Sequence, residues 1–192
     1  MTIFLILAPY GAFASLMLVA TATESLVAAV FVSLGTVALD VVRGRSLKIL
    51  PIGTAILFAA VAGYLHLVDP SLSGKAVKLA VDVGVFTISF GSMLLRYPFT
   101  MQYALEALPA EMAAMPGFMR ANYIITGVWT ASTLLMMLTN AAILYIPSLP
   151  IWIGLAVAFA ARNSAVYFTK WYSAYRRAQF TRPPVDALPK PH

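Results

Sequence analysis

The chain has 192 residues, 61% of them apolar and only 10% charged, where an ordinary globular domain carries about 25% charged residues. Thirteen Lys/Arg and seven Asp/Glu cannot cover a soluble surface of this size, and the mean hydropathy of +0.85 agrees. Disorder, coiled coil, collagen and nucleic-acid binding fall away together, because each needs a polar or periodic composition that is absent here. What remains is an all-α polytopic membrane protein whose first partner is the lipid bilayer. The absence of cysteine excludes disulfides, thiolate nucleophiles and Cys-ligated metals. With His66 and His192 the only histidines, neither a metal nor another cofactor is expected.

Cutting the chain at charges, prolines and polar clusters leaves six apolar segments, about residues 3–21, 25–42, 49–67, 77–95, 122–146 and 149–170. About 20 helical residues span the roughly 30 Å hydrocarbon core, so each is long enough to cross. The first lacks a basic region before it and an A-x-A-like cleavage pattern, and reads as a retained span. The expected organisation is a single six-helix domain over 1–175, with a loop at 97–119 and a flexible tail at 176–192 rich in proline. Placing the N-terminus in the cytoplasm puts Arg43, Arg45, Lys48, Arg96, Arg120, Lys170, Arg176, Arg177, Arg182 and Lys190 inside, against Lys75 and Lys78 outside. That asymmetry predicts cytoplasmic N- and C-termini.

In the 97–119 loop, Thr100 is placed to cap a short interfacial helix with Met101, Ala104, Leu105 and Leu108 at helical spacing and Gln102 and Glu106 on another side. Pro109 and Pro116 break it. Pro98, Gln102, Tyr103 and Glu106 are its candidate partner-binding residues. Small-xxx-small pairs, among them Ala59/Gly63, Ala80/Gly84 and Ala156/Ala160, allow close helix approach.

Intramembrane polar residues form the second candidate site: Asp40, Asp82, Asn122, Thr126, Thr133, Asn140, Arg162 and Asn163. Arg162 lies well inside the last span, where a charge costs about 2.5–3.5 kcal/mol on insertion scales. It is either a substrate or ion ligand, or it snorkels toward the interface or pairs with Asp40. Asp82 has Lys78 one turn away as a neutralising partner. Asp82, Ser89 and Arg96 recur every seven residues, which lines either a polar path or a packing face. Asn122, Thr126, Trp129, Thr133 and Asn140 make an inward stripe on the fifth span, readable as pore lining or as packing glue. His66 and Asp69 form an outer turn that either binds a cation or is solvated. No paired carboxylates and no H-E-x-x-H, G-x-S-x-G or phosphate-binding glycine pattern is present, so no enzyme is expected.

From the second span onward the chain resembles the intracellular septation protein A family of small bacterial inner-membrane proteins. The parallels, over about 100 residues, are the basic loop Arg43-Gly44-Arg45-Ser46-Leu47-Lys48, the His66 and Asp69 turn, Lys75 and Lys78, Pro98 and Gln102, then Asn122, Trp129 and Asn140. The segment Pro98 to Ala104 also looks like a motif of other bacterial membrane proteins. The resemblance implies a bacterial inner-membrane protein that maintains the envelope or septum through membrane-protein partners, without chemistry of its own. The alternative reading is a small channel or secondary transporter for an ion or small solute, a homo-oligomer that uses the intramembrane polar residues.

Overall fold

The computed structural model describes residues 2–180; the tail residues Arg182, Pro183, Pro184, Pro189, Lys190, Pro191 and His192 lie outside the described residues. Within them the chain forms eight helices and no strand: α1 (Thr2–Leu16), α2 (Ala22–Val42), α3 (Ile49–Leu67), α4 (Gly74–Leu94), α5 (Phe99–Ala107), α6 (Ala110–Ala113), α7 (Phe118–Tyr145) and α8 (Ile151–Phe180). Helix starts follow local chemistry. Thr21 and Glu24 make a reciprocal capping box at α2, with Glu24 accepting from the Thr21 amide at 2.9 Å, and Ser73 caps α4. Gly117, at φ 86°, supplies the left-handed turn into α7.

Five helices, α2, α3, α4, α7 and α8, are long and apolar enough to cross a membrane. The described part of α1 has 15 residues, about 22 Å at 1.5 Å per residue, short of the roughly 30 Å core. Large apolar side chains such as Phe31, Val42, Tyr145 and Phe159 stand outward, which suits a surface solvated by lipid rather than water. The helix α8 continues to Phe180, so residues 176–180 are ordered helix rather than the flexible tail expected from 176 onward.

Packing runs in chain order through the long helices, with α1 on α2, α2 on α3, α3 on α4, α4 on α7 and α7 on α8. One apolar core joins the first four: Tyr10 and Phe13 of α1, Leu26 and Ala29 of α2, Phe58 and Leu65 of α3, and Val77, Val81 and Val85 of α4. Phe58 is fully buried and tilts against both α1 rings, 5.8 Å from Tyr10 and 5.6 Å from Phe13. Burying one such side chain stabilises the bundle by roughly 1.5–3 kcal/mol relative to a water-exposed state.

The small-residue pairs divide on inspection. A Cβ at Gly84 would meet the Leu57 side chain, reaching its Cγ within 2.9 Å, so glycine there sets the α3–α4 approach. At Gly63 a Cβ meets nothing within 4 Å. Gly84→Val is therefore expected to destabilise the protein by about 1–3 kcal/mol through overpacking. Gly63→Ala is expected to be neutral or stabilising by up to about 1 kcal/mol. Thermal unfolding of both variants in one detergent checks the opposite signs.

Candidate functional site

Three sets of side chains carry polar or concave chemistry, and the first is centred on Lys48. Residues 41–47 are all exposed, yet Lys48 is 2% exposed. Its ammonium sits 2.9 Å from Asp40 of α2 and 3.0 Å from Glu106 of α5, with the Tyr103 ring 5.4 Å beneath it. Glu106 also accepts from the backbone and hydroxyl of Ser46 at 3.1 and 2.9 Å. The first amide of α3, at Ile49, has no cap from its own N-cap residue; it donates instead to Gln102 at 2.8 Å. Thus α5 caps α3 from a distance and clamps the α2–α3 loop. Partial burial pushes the Glu106 carboxyl up, but hydrogen bonds from Lys48 and Ser46 together with the Lys48 charge outweigh it and hold the group below its ordinary value. Burial, joined by the Asp40 charge, pushes the Tyr103 phenol up and keeps it neutral.

These contacts revise several expectations. Gln102, Tyr103 and Glu106 face the protein's own α2–α3 loop rather than standing free for a partner, and Pro98 is fully buried. Pro98, not Thr100, is the N-cap of α5. The Thr100 hydroxyl instead donates to the Asn122 carbonyl at 3.1 Å and shares a 2.7 Å hydrogen bond with Thr126. Asp40, satisfied by Lys48 and within 3.7 Å of Arg45, is not the partner of Arg162.

A polar seam between α4 and α7 is the second set. Asn140 donates to Asp82, the Ser89 and Thr130 hydroxyls share a hydrogen bond at 2.6 Å, and Tyr123 donates to the Met93 carbonyl at 3.1 Å. Asp82 therefore takes Asn140 rather than Lys78, with which it forms no ion pair. The Asp82 and Ser89 face is buried, but α4 ends at Leu94, and Arg96 leaves in an exposed left-handed turn at φ 57°. Arg96 is therefore not on the buried α4 face that carries Asp82 and Ser89. The α7 stripe does face inward, divided among three neighbours: Asn122 and Thr126 to α5, Asn140 to α4, and Trp129 to Thr169 of α8 at 3.0 Å. Thr133 donates to the Thr130 carbonyl of its own helix. Asn163 is exposed and donates to the Phe159 carbonyl, apart from the seam. Asp69 accepts from Ser71 at 2.6 Å, and His66 is exposed beside it. Next to the seam, Arg162 lies over the Tyr10 ring at 5.2 Å and borders a cavity of ≈ 40 Å³.

A larger groove of ≈ 230 Å³ opens between α5–α6 on one side and α7–α8 on the other. Phe99, Met112, Met115, Phe118 and Trp129 give it apolar walls, and Arg176 and Arg177 line it from α8. The sequence had no signal for this groove, because its walls come from four elements. Lys48 and Tyr10 were equally silent: one looks like any loop lysine, and the other is a lone ring in an apolar run.

No group of three or more His, Cys, Asp or Glu able to hold a metal ion exists among the described residues. Compared with known proteins, the chain matches no family model, no curated protein and no solved structure.

Lys48→Met should leave Glu106 without its ammonium and Asp40 with only the more distant, solvent-exposed Arg45, and cost about 3–5 kcal/mol. Most of that loss should return in the apolar triple variant Asp40→Leu, Lys48→Met, Glu106→Leu, as read by thermal unfolding in detergent. Because the folded-state value of Glu106 is depressed, its stabilisation is complete above the ordinary glutamate range and disappears as pH falls through the depressed value. Amide protection at α5, taken relative to the intrinsic exchange rate at each pH, should fall there on acidification from pH 7 in the native protein and not in Glu106→Gln.

Proposed function

We propose that this chain is a six-span bacterial inner-membrane protein, cytoplasmic at both ends, that works without catalysis by holding another membrane protein at the α5–α8 groove. The observation that carries this reading is the groove itself, an apolar concavity of ≈ 230 Å³. One of its walls, α5, is fixed in place by Lys48, Glu106 and Gln102. Such a wall is pre-organised, so little ordering cost is added on binding. In this orientation α5 is the interfacial helix, and Trp171, Tyr172 and Tyr175, whose rings contact one another along α8, stand at headgroup level. The occupant that suits these apolar walls is an apolar helix of another membrane protein. The septation-type resemblance supports the same class of role, envelope maintenance through partner contacts. Gln102 and Glu106 are engaged by the protein's own α2–α3 loop, so the contribution of the 97–119 segment to binding comes from Met112 and Met115 rather than from them.

A photo-crosslinking residue at position 115 in the native membrane should capture one stoichiometric partner, and Met115→Glu should abolish co-purification without changing the thermal midpoint. Co-purification that survives Met115→Glu would overturn the groove as the contact site. A second reading, a small channel or transporter, is favoured by the Arg162 cavity. It requires that liposome flux be lost in Arg162→Ala while membrane insertion persists; retained flux would remove Arg162 from any transport mechanism.

A further inference from the structure

The groove between α5–α6 and α7–α8 is lined by five aromatic residues, Phe99, Tyr103, Phe118, Trp129 and Tyr172, on largely apolar walls. Its α8 side runs from Thr169 to Arg177, and α8 itself ends at Phe180, within one turn of the groove. The sequence that follows is Thr181-Arg182-Pro183-Pro184-Val185-Asp186-Ala187-Leu188-Pro189-Lys190-Pro191-His192. A proline-rich segment is thus tethered at the edge of an aromatic-lined concavity.

The chemistry of that segment matches the groove. Proline lacks an amide donor and disfavours helix at the residue before it, so Pro183 and Pro184 oppose continuation of α8 and favour an extended polyproline conformation. Such a segment has little entropy left to lose on docking, and aromatic-lined grooves are the surfaces that take it. Val185, Ala187 and Leu188 add apolar side chains suited to the same walls. Reach is sufficient. From Thr169 to Arg177 the groove follows α8 for about 12 Å at 1.5 Å per residue. The eight residues from Thr181 to Leu188 span up to about 26 Å when extended. Tethering favours this occupant further, because a segment on a short linker is present at an effective concentration on the order of millimolar, whatever the abundance of a partner. Charge does not select it: Arg182 and Lys190 against Asp186 leave the segment weakly basic, and the match is made by rings, prolines and apolar side chains.

We propose that residues 183–189 of this chain seat in the α5–α8 groove, and that a membrane-protein partner binds there by displacing them. The seat follows from the groove and the segment alone; the displacement rests on the partner reading given above. The segment then acts as an autoinhibitory cover, keeping the apolar walls closed until a partner of sufficient affinity competes.

The chain contains no cysteine, so an introduced pair has no competitor within it. In the 192-residue chain in its membrane, Met115→Cys with Leu188→Cys should close an intramolecular disulfide under a copper–phenanthroline oxidant. Closure should be at least tenfold faster than for Arg120→Cys with Leu188→Cys, since Arg120 is exposed on the first turn of α7 but does not line the groove. Ala107→Trp, which adds a ring at an exposed position on the α5 wall, should slow the first pair to the control rate. Equal rates for the two pairs would mean that the segment has no seat and would overturn the proposal. Disulfides that join two chains would give the groove to a second copy and overturn it equally. Displacement has its own readout: Val185→Asp with Leu188→Asp should raise partner capture by a photo-crosslinker at position 115 at least threefold. Unchanged capture beside fast trapping would overturn displacement. Fast trapping with no partner captured by either chain would support the seat and count against the partner reading alone.

Discussion

A lysine whose side chain is only 1% exposed must have its charge matched, and the way Lys48 is matched organises one end of this bundle. Taking an ammonium out of water costs several kcal/mol even after relaxation, so Asp40 and Glu106 must both approach it closely. Asp40 comes from the last turn of α2 and Glu106 from α5, so satisfying one ammonium fixes the loop between α2 and α3 and docks α5 against it. Gln102 then completes the start of α3, whose N-terminal amides have no capping side chain of their own. One buried charge thereby determines where the short helices lie, and with them one wall of the groove.

The rest of the molecule is held by weaker and more numerous contacts. The first four helices share an apolar core around Phe58, whereas α4 and α7 meet along a polar seam from Asp82 and Asn140 to Met93 and Tyr123. Hydrogen bonds across helices in a membrane average only about 0.6 kcal/mol each, so the seam serves register more than strength. Each rung pairs a residue on α4 with one on the antiparallel α7, and sliding either helix by a turn breaks all of them. Registration of α7 also sets Ser132 and Trp129 against Tyr10 and Arg162, which creates the small cavity at the junction of the two halves.

Legibility differed by kind of feature. The apolar runs predicted the long helices closely; the third is Ile49–Leu67 in both readings, and the inward stripe on α7 is where its four- and three-residue steps place it. The 97–119 segment was harder. Its helical spacing was readable, but the side carrying Gln102 and Glu106 looks like a face for solvent or a partner. Only the presence of a buried ammonium on the other side makes it an inward face. Lys78 was a reasonable local neighbour for Asp82, since both lie on one helix, yet Asn140 takes that position from 58 residues away.

Composition and hydropathy alone determined the class of this protein, an all-helical chain whose five longest helices can each cross a membrane, because transfer of a continuous apolar run into lipid is a property of the run itself. Tertiary structure alone decided which polar groups meet. Lys48 and Glu106, Ile49 and Gln102, Asp82 and Asn140, and Tyr10 and Arg162 are all distant in the chain, and the pairing of a charge or a hydrogen-bond donor depends on the geometry of its partner rather than on helical period. The groove and the cavity belong to the same category, since a concave space is made by several elements together and by no segment singly.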